Sequence, residues 1–428
     1  MSSGSSTSAS APVRFDASET VLSNGLRLVM LEDHATPLIS YQVHYAAGSR
    51  NERPGITGIS HLFEHMMFKG TPKVGPEEFA RTIQARGGQL NAFTTCDNTS
   101  YYENLPSDCL DLAIRLESDR QANLLLTEEN LASEREVVRN ERLFRTVNTP
   151  YGLVQEELMS LAFSRHPYSW PVVGWDSDLV AMTLDDCRNY FFTFYAPNNA
   201  TVVVVGDFDS DVVQRLVEDA YGVMKPGPRP PDVVTFEEPQ HGERRGVYRK
   251  TLEAAALFAG FHIPGVTHAD TFPLVILASI LSTGQASRFH RRFVATGRAA
   301  AVKASVGFSF LNRDPSLFNV SAVAHPRDDI AGLEADIWEE IDRLHQTPPD
   351  TREVKRATKQ MVASFVLQAQ NNCYRGLQLG LFQIRADGWE MINRLVESYR
   401  SVTAGQVQDV ARRYLVADNR SVVLAEPA

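Results

Sequence analysis

The sequence predicts an α+β protein made of two homologous repeats, each a largely antiparallel sheet with helices on one face. Three observations predict it. Strand-like and helix-like runs mix along the first half, as in sheets covered by helices. The stretch Lys225–Asp232 (KPGPRPPD) holds four prolines and a glycine, so it forms neither helix nor central strand and divides the chain. Both halves close on one pattern: Thr183 to Asn199 then ATVVVV, and Thr403 to Asn419 then RSVVL, with 16 residues from threonine to asparagine in each. Each copy reads as an N-capped helix, a turn at the asparagine and a β-branched strand.

The elements follow in order. Residues 1–12 are rich in Ser and Ala and predict a disordered arm. They carry no basic segment followed by an apolar one, so no signal peptide is read there, and no apolar run of about 18 residues occurs elsewhere. The expectation is a cytoplasmic protein away from membranes, or a periplasmic one if its N-terminus was trimmed. Residues 13–224 form the first repeat. Within it, 26–31 and 38–45 read as strands, 55–68 and 77–86 as helices, 89–102 as one strand rich in Thr and Asn, and 110–125 and 128–145 as long helices. Residues 225–245 are the linker and 246–428 the second repeat.

Composition narrows the function. With 428 residues, 43% hydrophobic and 22% charged, the chain can bury a sizeable core. Lys+Arg is 42 against Asp+Glu 52, and a net charge of −10 argues against nucleic-acid binding. Cys96, Cys109, Cys187 and Cys373 are widely spaced with no C-x-x-C, so reduced thiols are expected.

The chemistry concentrates in His61-Leu62-Phe63-Glu64-His65. In a helix, residues four apart share a face, so both imidazoles can reach one metal ion, and Glu64 sits on the same side. Imidazole suits zinc, and a catalytic zinc takes three protein ligands plus an open position. Glu134 and Glu141 are two helical turns apart on a stripe that includes Val138, and carboxylates there are costly to bury unless paired or metal-bound. Spacing alone leaves open which of the two would be the third ligand.

The order H-x-x-E-H, 75 intervening residues, then Glu141 resembles the pitrilysin/insulinase family of zinc peptidases, the inverzincins. Further stretches are similar: Phe68-Lys-Gly-Thr71 after the motif, Gly87 to Thr94 with Asn91 and Ala92, and His166 to Gly174. The resemblance runs from about residue 13 to 427 and is to the short, two-repeat branch that includes mitochondrial processing peptidase subunits. It implies one Zn²⁺ per chain on His61, His65 and Glu141, with a water in the fourth place. Glu64 would be the catalytic proton acceptor, and Glu134 would orient a ligand histidine. Asn91 and Ala92 would bind substrate by presenting backbone to an extended peptide. Short members pair to enclose a chamber.

The second repeat lacks the motif: 272–281 (FPLVILASIL), the expected counterpart of the metal helix, has no His or Glu. Many members also carry an Arg and a Tyr, seven apart, in the half that closes over the metal. Aligned on Gly297, Phe293 and Ala300 stand there, with Arg292 one residue away. A homologous partner would then bring the Arg/Tyr pair, so a heterodimer is expected. The alternatives are a catalytically silent scaffold or peptide-binding subunit, and a self-sufficient homodimeric peptidase.

Overall fold

The computed structural model describes residues 14–307, 312–326, 328–386 and 388–428, so the expected N-terminal arm lies outside the described residues. Eleven strands form two sheets among these residues. The first holds β1 (Ser18–Val21), β2 (Arg27–Glu32), β3 (Leu38–Tyr45), β4 (Gln89–Thr94), β5 (Thr99–Pro106) and β6 (Ala200–Gly206), in the order β1-β2-β6-β3-β5-β4. The second holds β7 (Arg244–Lys250), β8 (Ala256–Ile263), β9 (Ala301–Val306), β10 (Ser316–Val323) and β11 (Arg420–Pro427), in the order β7-β11-β8-β10-β9. Apart from β1, the two sheets have one topology. The pairs β2–β6 and β7–β11 are parallel and all other pairs antiparallel.

The sequence repeat has a structural cause. Thr183 and Thr403 each cap a helix reciprocally with the residue three on, Asp186 and Gln406. Asn199 Nδ2 donates to Phe194 O and Ala46 O, and Asn419 Nδ2 to Tyr414 O and His262 O. Each asparagine thus ties a helix end to a strand before the chain enters β6 or β11.

Each sheet carries its own helices on one face, and the other face is covered by a helix from the opposite half. In the first sheet Leu28, Met30, Tyr41, Val43, Val202 and Val204 share a core with the helix Ile59–Met66, while Val29, Leu31, Val203 and Val205 join the core of the second half. The helix Asn372–Arg385 lies on that second face, its Gly380 against the ring of His44 and its Gly376 against Gln42. Reciprocally, Val154 and Leu158 of the helix Gly152–Ala162 pack on Ala256, Val423 and Ala425 of the second sheet. This two-sided burial explains the unbroken Val202–Val205 run, where alternation would mark a half-exposed strand. Each such valine is worth about 1.5–3 kcal/mol of burial.

Two expectations change. The segment 89–102 is a hairpin rather than one strand, because Thr95 N–H bonds Asn98 O and turns the chain over Cys96-Asp97. The 128–145 helix runs regularly only over Glu128–Arg142. It then widens into the turn Leu143–Val147, closed by Asn148 N–H to Leu143 O. Residues 225–243 form no helix or strand. No helix among the described residues is long and apolar enough to cross a membrane.

Candidate metal centre

The metal-side helix, Ile59–Met66, is fixed at its start by three partners and deeper in by two tyrosines. Gly58 turns in with φ 87°, and a Cβ there would lie 2.5 Å from Val173 O, so the 170–174 segment clamps the helix entry. Glu52 accepts the N–H groups of Gly58 (2.7 Å) and Ser60 (2.8 Å). Burial pushes the Glu52 carboxyl up to about 8 despite these bonds. Asp178 accepts from Gly55 N, Thr57 N and Thr57 Oγ1. Deeper in, Tyr190 meets Ser60 Oγ at 2.7 Å and Tyr101 OH donates to Phe63 O at 3.0 Å. Leu62, Phe63 and Met66 bury the opposite face.

On the open face His61 and His65 project side by side, ring centroids 5.0 Å apart. Glu141 comes from the Glu128–Arg142 helix, which Thr127 caps and Arg142 ties to Glu156 by two bonds. One ligand atom each from His61, His65 and Glu141 lies within 4.8 Å of the others. His61 Nε2 is 3.7 Å from Glu141 Oε1, and His65 Nε2 is 3.2 Å from Glu141 Oε2. Glu134 takes another place: its Oε2 is 3.5 Å from His65 Nδ1, and its Oε1 is held by Lys69 Nζ at 2.7 Å. It thus faces the His65 ring nitrogen opposite the one that meets Glu141. Two imidazoles and a carboxylate converging on one point form a donor set that fits zinc. Glu64 Oε2 stands 3.9 Å from His61 Nε2, beside that set.

The electrostatics separate these groups. Burial, then the His65 charge, pull His61 down to about 4. Burial opposes protonation of His65 too, but bonds from Glu134 and Glu141 raise it to about 9, so a metal taken up there displaces a proton. Glu141 is lowered by its bond with His65. Glu134 is lowered by His65 and Lys69 against the opposing effect of burial. Burial raises Glu64, with Thr94 opposing.

Beside the centre runs β4, the edge of its sheet. The Thr95–Asn98 bond sets the alternation, so Asn91 and Phe93 bond to β5 while the N–H and C=O of Leu90, Ala92 and Thr94 face off the sheet. Ala92 N–H meets the Asn91 side-chain oxygen at 2.9 Å. The Asn91 side chain thus lies along the open edge and occupies the outward N–H of Ala92.

The sequence pattern does not single out several participants. Thr94 Oγ1 donates to Glu64 Oε2 at 2.6 Å. Arg145 Nη1 reaches Glu141 Oε1 at 2.5 Å from the widened turn, a feature common at functional sites. Lys69 falls four residues after His65, a helix-face spacing that could have flagged it. Glu52 has no such signal, and Thr94 lies in the family-like stretch Gly87 to Thr94 with nothing there to point to Glu64, since only the tertiary fold brings the two together.

In the second repeat the helix Thr271–Ser282 stands where the metal helix stands in the first, following β8 as that helix follows β3, without His or Glu. Phe293 is 1% exposed within the second core, and Arg292 Nη1 is tied to Glu340 at 2.8 Å.

Fold and site together define the class of two-repeat proteins with an inverted His-x-x-Glu-His metal helix. The chain belongs to the insulinase family, peptidase family M16. The family model described as Insulinase (Peptidase family M16) matches residues 27–175, and that described as Peptidase M16 inactive domain matches 181–361. The chain is 30% identical to the zinc protease PqqE of Helicobacter pylori over 357 residues, 82% of this chain and 80% of that one. It is 24% identical to the uncharacterized zinc protease YmxG of Bacillus subtilis over 405 residues, 95% of this chain and 97% of that one. The crystal structure of a protease from Helicobacter pylori superposes with a TM-score of 0.93 at 26% identity, covering 97% of this chain and all of the other.

Proposed function

We propose that this chain is a zinc metalloendopeptidase acting on unfolded peptides, and the catalytic subunit of a heterodimer with a homologous partner. The observation that carries the reading is the convergence of His61, His65 and Glu141 within 4.8 Å, with Glu64 beside them and outside the ligand set. Relatives described as zinc proteases support it.

His61 Nε2, His65 Nε2 and a Glu141 oxygen would hold the ion. Bound there, zinc would lower the pKa of a water molecule and polarise the scissile carbonyl. Glu64 would take the proton from the attacking water and pass it to the leaving amine. Burial raises its pKa above the ordinary carboxylate value, which makes it a better proton acceptor. Thr94 fixes the Glu64 oxygen that stands beside the ligand set, and so holds the carboxylate in place. Glu134 and Lys69 hold His65 in one ring orientation. The β4 edge would take the substrate as an added strand, which requires an extended chain and so excludes folded proteins.

The heterodimer rests on the second repeat. Its aligned positions are a buried phenylalanine, Phe293, and an alanine, Ala300, and neighbouring Arg292 is engaged with Glu339 and Glu340. Donors for the developing oxyanion would then come from a partner, and losing one such donor costs ~10²–10³ in rate. The test is metal content and hydrolysis of a casein peptide by the purified chain, with the homologous subunit titrated in. The expected result is stoichiometric zinc, weak activity alone and a rise to a stoichiometric plateau. Equal activity of the chain alone would establish a self-sufficient homodimer. Absence of zinc and of activity in both would make it a silent binding subunit.

A further inference from the structure

The edge strand beside the metal centre is held in place by the half of the chain that has no metal ligands. Arg385 ends the helix Asn372–Arg385 and is 4% exposed. Its Nη2 donates to Thr95 Oγ1 at 2.9 Å and to Asn98 Oδ1 at 2.6 Å, the two ends of the β4–β5 turn. Its Nε lies 3.6 Å from Asp97 Oδ2 inside that turn. Asp97, 2% exposed, also accepts from Tyr168 OH at 2.5 Å, Asn312 Nδ2 at 3.3 Å and Arg313 N–H at 3.2 Å. Arg50 adds its charge 3.8 Å away.

The turn is therefore gripped from two elements of the second repeat. It also closes on itself, by Thr95 N–H to Asn98 O at 2.8 Å and Thr95 Oγ1 to Asn98 Oδ1 at 2.8 Å. Removing the grip would leave the turn formed but free to tilt. The residue just before it is Thr94, which bonds Glu64. A tilt of the turn thus moves the open edge of β4 relative to the proton acceptor.

We propose that Arg385 is a positioning residue for peptide capture: it aligns β4 with Glu64 from the second repeat. This rests on the reading of β4 as the edge that takes the peptide. It gives the second repeat a task in substrate binding that needs no ligand contact of its own. The energetic basis is preorganisation, since an edge already held straight loses less freedom when a strand adds to it.

The experiment uses the full chain carrying Glu64→Gln, loaded with zinc, and a fluorescein-labelled casein peptide as probe. Three readouts are taken: metal content, peptide affinity, and amide hydrogen exchange along 89–94 and 59–66. Arg385→Gln is expected to keep its metal, to bind the peptide about tenfold or more weakly, and to exchange faster along 89–94 than the parent, with 59–66 unchanged. Arg385→Lys should recover part of both losses. Asn98→Ala removes one acceptor on the turn and should shift both readouts the same way, so it decides the matter if Arg385→Gln does not fold. Ala92→Pro deletes the outward N–H of the edge. If it binds peptide as tightly as the parent, the edge reading is wrong and the proposal falls with it. If Ala92→Pro weakens binding while Arg385→Gln and Asn98→Ala leave affinity and exchange along 89–94 unchanged, the edge reading stands and the proposal alone is overturned.

Discussion

Glu134 and Glu141 meet the same imidazole from opposite sides: Glu134 Oε2 lies 3.5 Å from His65 Nδ1, and Glu141 Oε2 lies 3.2 Å from His65 Nε2. Two carboxylates seven residues apart on one helix thus have unequal duties. His65→Ala should lose nearly all bound zinc, and Glu141→Gln most of it. Glu134→Gln should weaken affinity by only ~10–100-fold, as for other groups that orient a ligand. Competition with a chromogenic chelator ranks the three. A larger loss for Glu134→Gln than for Glu141→Gln would exchange their roles.

Glu64 stands apart from the ligand set, so Glu64→Gln should leave zinc stoichiometry intact. Hydrolysis should fall by roughly 10²–10⁴-fold, because an amide cannot accept the proton. Elemental analysis and a peptide-cleavage assay on one preparation check both halves of the statement. Loss of metal in this variant would place Glu64 among the ligands.

Gly380 lies so close to His44 that a Cβ there would stand 2.3 Å from the ring atoms Cδ2 and Nε2. Gly380→Ala must push the helix Asn372–Arg385 off the first sheet. A cost of about 1–3 kcal/mol is expected, read as a lower urea midpoint. An unchanged midpoint would show that the helix can shift without loss.

His44 predicts an acid sensitivity. It is fully buried, with Ser100 Oγ 2.7 Å from Nδ1 and Gln42 Oε1 3.0 Å from Nε2. Burial, then the Arg385 charge, pull its pKa from 6.5 to about 3. The unfolded chain therefore binds a proton below pH 6.5 that the folded chain refuses. The stability contribution is complete above that pH and declines as pH falls toward about 3, at up to about 1.4 kcal/mol per pH unit. Urea unfolding of metal-free protein should show a shallower pH slope for His44→Gln than for the wild type between about pH 4 and pH 6. Equal slopes would mean that the folded protein already protonates His44.

Much of the site was legible because its residues are local. His61, Glu64 and His65 share one helical turn, and Glu134 and Glu141 one helix face, so periodicity alone sets them side by side. Choosing between the two glutamates needed the resemblance to a family, since spacing treats them alike. Thr94, Glu52 and Arg385 were not legible, because each acts across a sequence distance that no pattern records. The two-repeat layout was readable from the Thr-to-Asn signature, whose capping boxes and asparagine bonds are short-range. The covering of each sheet by the other half's helix was not. Its only trace is the Val202–Val205 run and the Gly376/Gly380 spacing, and either feature has other common explanations. The hairpin at 95–98 was missed because Thr and Asn suit both strand and turn.

The exchange of helices between halves makes the 225–243 stretch a poor place to seek separable domains. A chain nicked there still has Asn372–Arg385 seated on the first sheet and Gly152–Ala162 seated on the second. The fragments remain interlocked, each completing the other's core. Expressed apart, each would present a naked apolar sheet face and aggregate; expressed together, they would reassemble as a split protein, with the metal centre reporting on the reunion.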